Sequence, residues 1–334
     1  MEYRTLGRTG INVSRLCFGT MSFGGVADGG TSAEMFHRCR EAGINFFDCA
    51  NVYNAGRSEE ILGELIVDCR DEIVLTSKVG FSAGEDVNAE GLSRRHITQA
   101  IEASLKRLRT DRIDLYFVHT FDSDAPIEET LRALDDLIHQ GKILYTGVSN
   151  WAAWQIATAL GISAREGLTR FSCVQPMYNL AKRQAEVEIF PLARASGLGV
   201  TPYSPLGGGL LTGKYGATER PKSGRLMENE MYRKRYGDPG NFEIAERVAA
   251  HARKRGLHPA TAAVAWVMSH PAVTAPIIGA RDVDQLEASL AAIDVSMTPD
   301  WRDEISALSV EPPSATDRSE EKAGIVYKGA KEKE

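Results

Sequence analysis

At 334 residues and 43% hydrophobic content, the chain can form one large α/β barrel or two modest domains. A net charge of −6 argues against a general nucleic-acid or anionic-membrane partner, since each calls for a basic excess. The five cysteines show no C-x-x-C spacing and mostly fall inside apolar runs, so buried reduced thiols are expected and a disulfide framework is not. The N-terminus lacks the basic-then-apolar layout of a signal peptide, and no apolar stretch approaches a membrane span. Asn12-Val13-Ser14 is a sequon without a secretion context. A soluble, cytoplasmic protein is expected.

In chain order, residues 3–13 alternate in polarity and turn at Gly7 and Gly10, which predicts a hairpin ahead of the main body. Strand-like runs follow at 13–20, 45–50, 73–79, 113–119, 143–150, 171–178, 198–205 and 273–279. Between them lie helical patterns. Ile97, Ile101, Leu105 and Leu108 keep a 3.6-residue spacing behind an N-cap at Ser93. Ile127, Leu131, Leu134 and Ile138 repeat it, with Pro126 at the start and Gly141 at the end. The polar stretch 216–240, with six Lys/Arg and four Asp/Glu, reads as a mobile excursion after the seventh strand. A further helix over 259–269 precedes the eighth strand. Strands each followed by a helix predict a (β/α)8 TIM barrel over an open doubly wound sheet, one unit spanning 1–310. The Pro-, Ser-, Glu- and Lys-rich tail 311–334 is expected to be loosely ordered.

Three strand runs end on ionisable groups: Asp48, Lys78 and His119, with Tyr53 just past the second strand. Groups at the carboxyl ends of parallel strands converge on the rim where such folds place their chemistry. Reducing a carbonyl needs a proton donor at the oxygen where negative charge develops. A tyrosine hydroxyl, pKa about 10 in the open, donates reluctantly near neutrality. A lysine ammonium about 4 Å away stabilises the phenolate by about 4 kcal/mol at an effective dielectric near 20. That is an upper figure, because burial of the phenol opposes it. Asp48 would keep Lys78 charged, and a neutral His119 would orient the carbonyl.

Several separated motifs accompany these residues: Leu16-Cys17-Phe18-Gly19-Thr20-Met21, Asn45-Phe46-Phe47-Asp48-Cys49-Ala50-Asn51-Val52-Tyr53, Ser77-Lys78 and Asp114-Leu115-Tyr116-Phe117-Val118-His119. Gly147-Val148-Ser149-Asn150, Gln175-Pro176-Met177-Tyr178-Asn179, Tyr203-Ser204-Pro205-Leu206 and Lys214-Tyr215 follow in order. In these the chain resembles the aldo-keto reductase family over about residues 3–295. The resemblance implies a barrel that binds NADP(H) without a Rossmann fold, with Tyr53 as acid and Asp48, Lys78 and His119 completing a tetrad. It implies that Ser149, Asn150 and Gln175 hold the nicotinamide carboxamide, groups able to satisfy each of its polar atoms. Tyr203 would stack on the nicotinamide, and Ser204, Pro205, Leu206 and Gly208 would lie against the pyrophosphate. Gly19, Thr20, Met21 and Asp48 join the cofactor set.

Residues 208–214 fit G-x-x-x-x-G-K, but Tyr215 stands where a P-loop needs Ser or Thr for Mg²⁺. By resemblance Lys214 instead faces cofactor phosphate, with Arg225. Gly279, Ala280, Arg281 and Gln285 mark the corner for the adenosine 2′-phosphate, for which a guanidinium fork is suited. The acidic–amide pair usual in the family is here Ala288 and Ser289, which thins the adenine contacts. Phe23, Phe81, Phe121 and Trp151 follow strand ends and would join Tyr53 and His119 around the substrate. No histidine spacing suggests a metal set, which disfavours a metal-dependent barrel hydrolase. The expected activity is reversible NADPH-dependent reduction of an aldehyde or ketone to the alcohol, bulky or sugar-like carbonyls included. The alternative is a cofactor-binding, redox-sensing regulatory subunit with slow turnover, since the 203–206 and 214–215 segments also resemble channel β-subunits.

Overall fold

In the computed structural model, residues 1–316 are described. A two-stranded antiparallel hairpin, β1 (Tyr3–Thr5) and β2 (Asn12–Ser14), precedes an eight-stranded parallel sheet. Its strands are β3 (Cys17–Gly19), β4 (Phe46–Asp48), β5 (Val74–Val79), β6 (Ile113–Val118), β7 (Ile143–Ser149), β8 (Phe171–Gln175), β9 (Gly199–Val200) and β10 (Ile277–Ile278). From β3 to β9 each strand pairs with the next in the chain, and β10 returns to β3. The remaining seam closes through backbone N–H donation from Thr274 to Val200 O (2.8 Å) and from Ile277 to Pro202 O (2.9 Å). The sheet therefore curls into the (β/α)8 barrel, with both faces buried as parallel sheets require.

The alternation of each strand builds two cores. Phe46, Val74, Leu115, Phe117, Cys173 and Ile277 point into the barrel. Their neighbours Phe47, Leu75, Tyr116 and Val118 face outward, into the larger shell beneath the helices. Leu6 and Val13 of the hairpin join the interior cluster, so the hairpin covers the end where the strands begin. Glycine at 147 makes room for the packed interior, since a Cβ there would lie 2.4 Å from the Phe117 ring.

The outer helices are α1 (Gly29–Glu41), α2 (Arg57–Leu65), α3 (Arg94–Leu108), α4 (Ile127–His139), α5 (Ala153–Glu166) and α6 (Ile189–Ser196). Ser93 caps α3 by accepting from His96 N–H, as its position predicts. Beyond β9 come α7 (Arg225–Glu228), α8 (Glu230–Tyr236), α9 (Pro239–Lys254) and α10 (Pro259–Met268), then α11 (Val283–Leu290) and α12 (Pro299–Ser306). Among the described residues no helix is long and apolar enough to cross a membrane.

Two expectations need correction. The 13–20 run is not one strand: Arg15 and Leu16 separate β2 from β3. The 216–240 stretch is not a structureless excursion, because it contains α7 and α8. Leu226, Tyr232 and Tyr236 bury their side chains there, and a Cβ at Gly208 would meet the Tyr232 ring at 2.4 Å. Asn179 Nδ2 donates to Ser204 O (2.8 Å) and to Tyr236 Oη (3.1 Å), which ties α8 to the loop after β9. Of the tail, residues 311–316 carry neither helix nor strand, and 317–334 lie outside the described residues. All five cysteines are free, four of them buried.

Candidate active site

Asp48 ends β4 and Lys78 lies one residue before the end of β5, and both side chains point into the barrel's upper layer. Lys78 Nζ donates to Asp48 Oδ2 at 2.5 Å, to the Cys49 carbonyl at 2.7 Å and to Tyr53 Oη at 3.2 Å. Lys78 has 0% exposure and Asp48 3%, so the ion pair is withdrawn from solvent and Tyr53 is its outlet to the rim. His119 follows β6, with its ring 6.0 Å from that of Tyr53 at 77°. The four groups, distant in sequence, share one small volume.

Tyr53 owes its position to an unusual turn. Asn54 (φ 50°), Ala55 (φ 54°) and Gly56 (φ 89°) are all left-handed, a strained choice for the first two. Asn54 Nδ2 offsets the strain by donating to Met21 O (3.0 Å) and Phe23 O (2.7 Å), which fastens the Tyr53 turn to the loop after β3.

Burial pushes the Tyr53 phenol up to about 12, and the Lys78 charge only partly opposes it. The balance differs from the sequence expectation: desolvation outweighs the ammonium, and the phenol stays protonated. Burial alone would discharge Lys78, yet Asp48 and Tyr53 override it and hold the ammonium above its usual range. Burial, then the Lys78 charge, drives His119 well below the ordinary histidine range, so its imidazole is neutral. Its Nδ1 is buried with no hydrogen-bond partner among the described residues.

The residues expected at the carboxamide meet beside the tetrad. Gln175 Nε2 donates to Asp48 Oδ1 (3.0 Å), and Ser149 Oγ to Gln175 O (2.9 Å). Asn150, left-handed at φ 59°, donates to His119 O (2.8 Å) and accepts from Tyr203 Oη (2.7 Å). Gly19 is the register partner of Asp48, Thr20 Oγ1 donates to Asp48 O (3.1 Å), and Met21 is 38% exposed at the rim. Ser204, itself left-handed at φ 58°, leads through Pro205 and Leu206 into the glycine turn at 207–209.

Past that turn three cations gather. Removal from water, then the Arg281 and Arg225 guanidiniums, lowers the Lys214 pKa. With its amide turned to face the guanidinium, Gln285 accepts from Arg281 Nη2 at 2.9 Å. Gly279 is exposed and Ala280 buried at the start of this corner. Ser289 Oγ is buried without a partner among the described residues. Mutually repelling cations beside a glycine turn suit an anionic group such as a dinucleotide's phosphates.

The aromatic candidates divide. Phe81, 43% exposed, meets the His119 ring at 4.6 Å. Phe121, half-buried, meets Trp151 at 5.0 Å. Trp151 does not line the mouth as expected: it is 4% exposed and packs on Phe171 at 5.7 Å in the outer core, so it backs Phe121. Phe23 departs from expectation: it has 0% exposure and packs on Phe18 in the outer core, so it lines no open slot. Sequence reasoning missed Thr76, whose hydroxyl donates to Asp48 Oδ1 (2.8 Å), and Trp154, 63% exposed and 6.4 Å from Phe121. The period of two from Lys78 was a signal for Thr76. Trp154 had none beyond its place after a strand end.

Comparison with known proteins gives a consistent result. The profile described as "Aldo/keto reductase family" matches residues 15–309. A rice (Oryza sativa subsp. japonica) protein named probable voltage-gated potassium channel subunit beta is 37% identical over 332 residues, 95% of this chain and 99% of its own. The uncharacterized oxidoreductase YrpG of Bacillus subtilis (strain 168) is 37% identical, covering 89% of this chain and 92% of its own. Versiconal hemiacetal acetate reductase of Aspergillus parasiticus is 33% identical, covering 90% and 94%.

Proposed function

This chain belongs to the aldo/keto reductase family and is a nicotinamide-dependent oxidoreductase, and we propose that it reduces an aldehyde or ketone to the alcohol with NADPH, running in reverse on alcohols. The observation that carries the reading is Lys78 Nζ within hydrogen-bond reach of both Asp48 and Tyr53 Oη, with neutral His119 alongside. A nicotinamide dinucleotide held here would supply the hydride. Tyr53 gives its hydroxyl proton to the carbonyl oxygen, and Lys78 stabilises the phenolate left behind until water returns the proton. His119 orients the carbonyl without adding charge. Ser149, Asn150 and Gln175 would hold the carboxamide and Tyr203 the ring face, while Ser204 to Gly208, Lys214 and Arg225 would face the pyrophosphate.

Preference for NADPH over NADH rests on the crowding of Arg281 with Lys214 and Arg225. Arg281→Ala is expected to raise the NADPH dissociation constant about tenfold, the scale of one charge-assisted contact, and to leave that of NADH almost unchanged. Cofactor fluorescence titration measures both. An equal effect on the two would remove the 2′-phosphate role.

Substrate choice is read from Phe81, Phe121 and Trp154. Two nearby polar side chains already serve their own loops: Asn54 as above, and Asp122 by accepting from Leu92, Asp124 and Ala125 N–H. Apolar or aryl carbonyls therefore suit this mouth better than the sugar-like ones the sequence left open. Phe81→Ala is expected to raise KM for 3-phenylpropanal about tenfold, near 1.4 kcal/mol of lost contact, and to spare glyceraldehyde. Equal losses on both substrates would sink this assignment.

A second reading, a redox-sensing regulatory subunit with slow turnover, draws support from the likeness to proteins named as channel β subunits. Turnover across a panel of aldehydes and ketones separates the two.

A further inference from the structure

Asp48 is held from more sides than its ion pair requires. Its Oδ2 takes the Lys78 ammonium, while Oδ1 accepts from Thr76 Oγ1 (2.8 Å) and Gln175 Nε2 (3.0 Å). Thr76 and Asp48 are register partners on β5 and β4, and Thr76 has 0% exposure. Gln175 reaches the same oxygen from β8, which is not a neighbour of β4 in the sheet. A carboxylate held only by a lysine can rotate about its terminal torsion, which is broad for aspartate. Two fixed donors on the other oxygen remove that freedom.

We propose that Thr76 is a positioning residue for the reaction: its hydroxyl locks the Asp48 carboxylate so that Oδ2 faces Lys78, and Lys78 thereby stays aimed at Tyr53 Oη. The inference rests on the proposed tetrad. Thr76 touches neither Tyr53 nor the rim; its effect passes through Asp48. Lys78, Asp48, Cys49 and His119 face the Tyr53 phenol, and Cys17 and Cys173 approach Asp48 from inside the barrel. Burial holds both cysteine thiols protonated, so neither titrates in place of Tyr53.

The test compares Thr76→Val and Thr76→Ser in the full chain. Thr76→Val keeps the side-chain shape and removes the donor. It is expected to lower kcat about tenfold, the scale of one charge-assisted hydrogen bond, with KM and the NADPH dissociation constant near wild type. Asp48 charge left less compensated raises the Tyr53 pKa, so the high-pH limb of kcat should move up by about half a unit or more. Thr76→Ser keeps the hydroxyl and should restore most of kcat and the limb. Thr76→Ala is the second hydroxyl-free variant, carrying the same expectation should Thr76→Val fail to bind NADPH. Wild-type kcat and pH profile in the hydroxyl-free variant, or an equal loss in Thr76→Ser, would overturn the proposal. Tyr53→Phe run in parallel keeps the two claims apart. If Tyr53→Phe is inactive and the hydroxyl-free variant normal, only the Thr76 role fails; an active Tyr53→Phe removes the tetrad reading itself.

Discussion

Tyr53→Phe is expected to bind NADPH as the wild type does and to lose turnover by at least ~10²-fold, the low end for removing a general acid. The substitution deletes one hydroxyl and keeps the ring, so the left-handed turn and its Asn54 anchors should survive. What disappears is the proton donor 3.2 Å from Lys78 Nζ. Because burial lifts the phenol to about 12, the wild-type group is protonated throughout the neutral range, and among the described residues no other hydroxyl bonds to Lys78. Steady-state turnover and cofactor fluorescence together check this result. Unchanged turnover would refute the role given to Tyr53.

Lys78→Met should damage both stability and rate. The side chain has 0% exposure, and its removal leaves Asp48 as a buried carboxylate without its cation. Breaking a buried pair this way costs about 3–5 kcal/mol. Loss of phenolate stabilisation should also reduce turnover by about 10²-fold or more. Asp48→Asn combined with Lys78→Met removes both charges, so the pair should recover much of the stability while remaining inactive. Urea unfolding with parallel assays reads this out. A single variant as stable as wild type would show that the ion pair is not withdrawn from water as described.

The barrel was readable because strands buried on both faces appear as near-continuous apolar runs. All eight predicted runs contain an observed strand, but β9 and β10 shrink to two residues each, since loop geometry and not hydropathy ends them. The Tyr232–Tyr236 pair in α8, one helical turn apart, was masked by the charges of Arg233, Lys234 and Arg235. At the site, the tetrad stood out because ionisable groups rarely close apolar strands. Thr76 did not, as threonine is ordinary in strands. Phe23 misled because a place after a strand end does not say which way a ring turns, and here it turns into the core.

The central claim is that an ammonium, a carboxylate, a phenol and an imidazole form one proton-delivering centre for a nicotinamide-dependent reduction. Its most direct test is a single turnover: protein loaded with one equivalent of NADPH is mixed with excess 3-phenylpropanal, and cofactor absorbance and alcohol are followed together. The prediction is stoichiometric loss of NADPH matched by alcohol, abolished on that timescale in Tyr53→Phe. NADPH that stays bound and unoxidised in the wild type, or is oxidised equally fast in Tyr53→Phe, would contradict it.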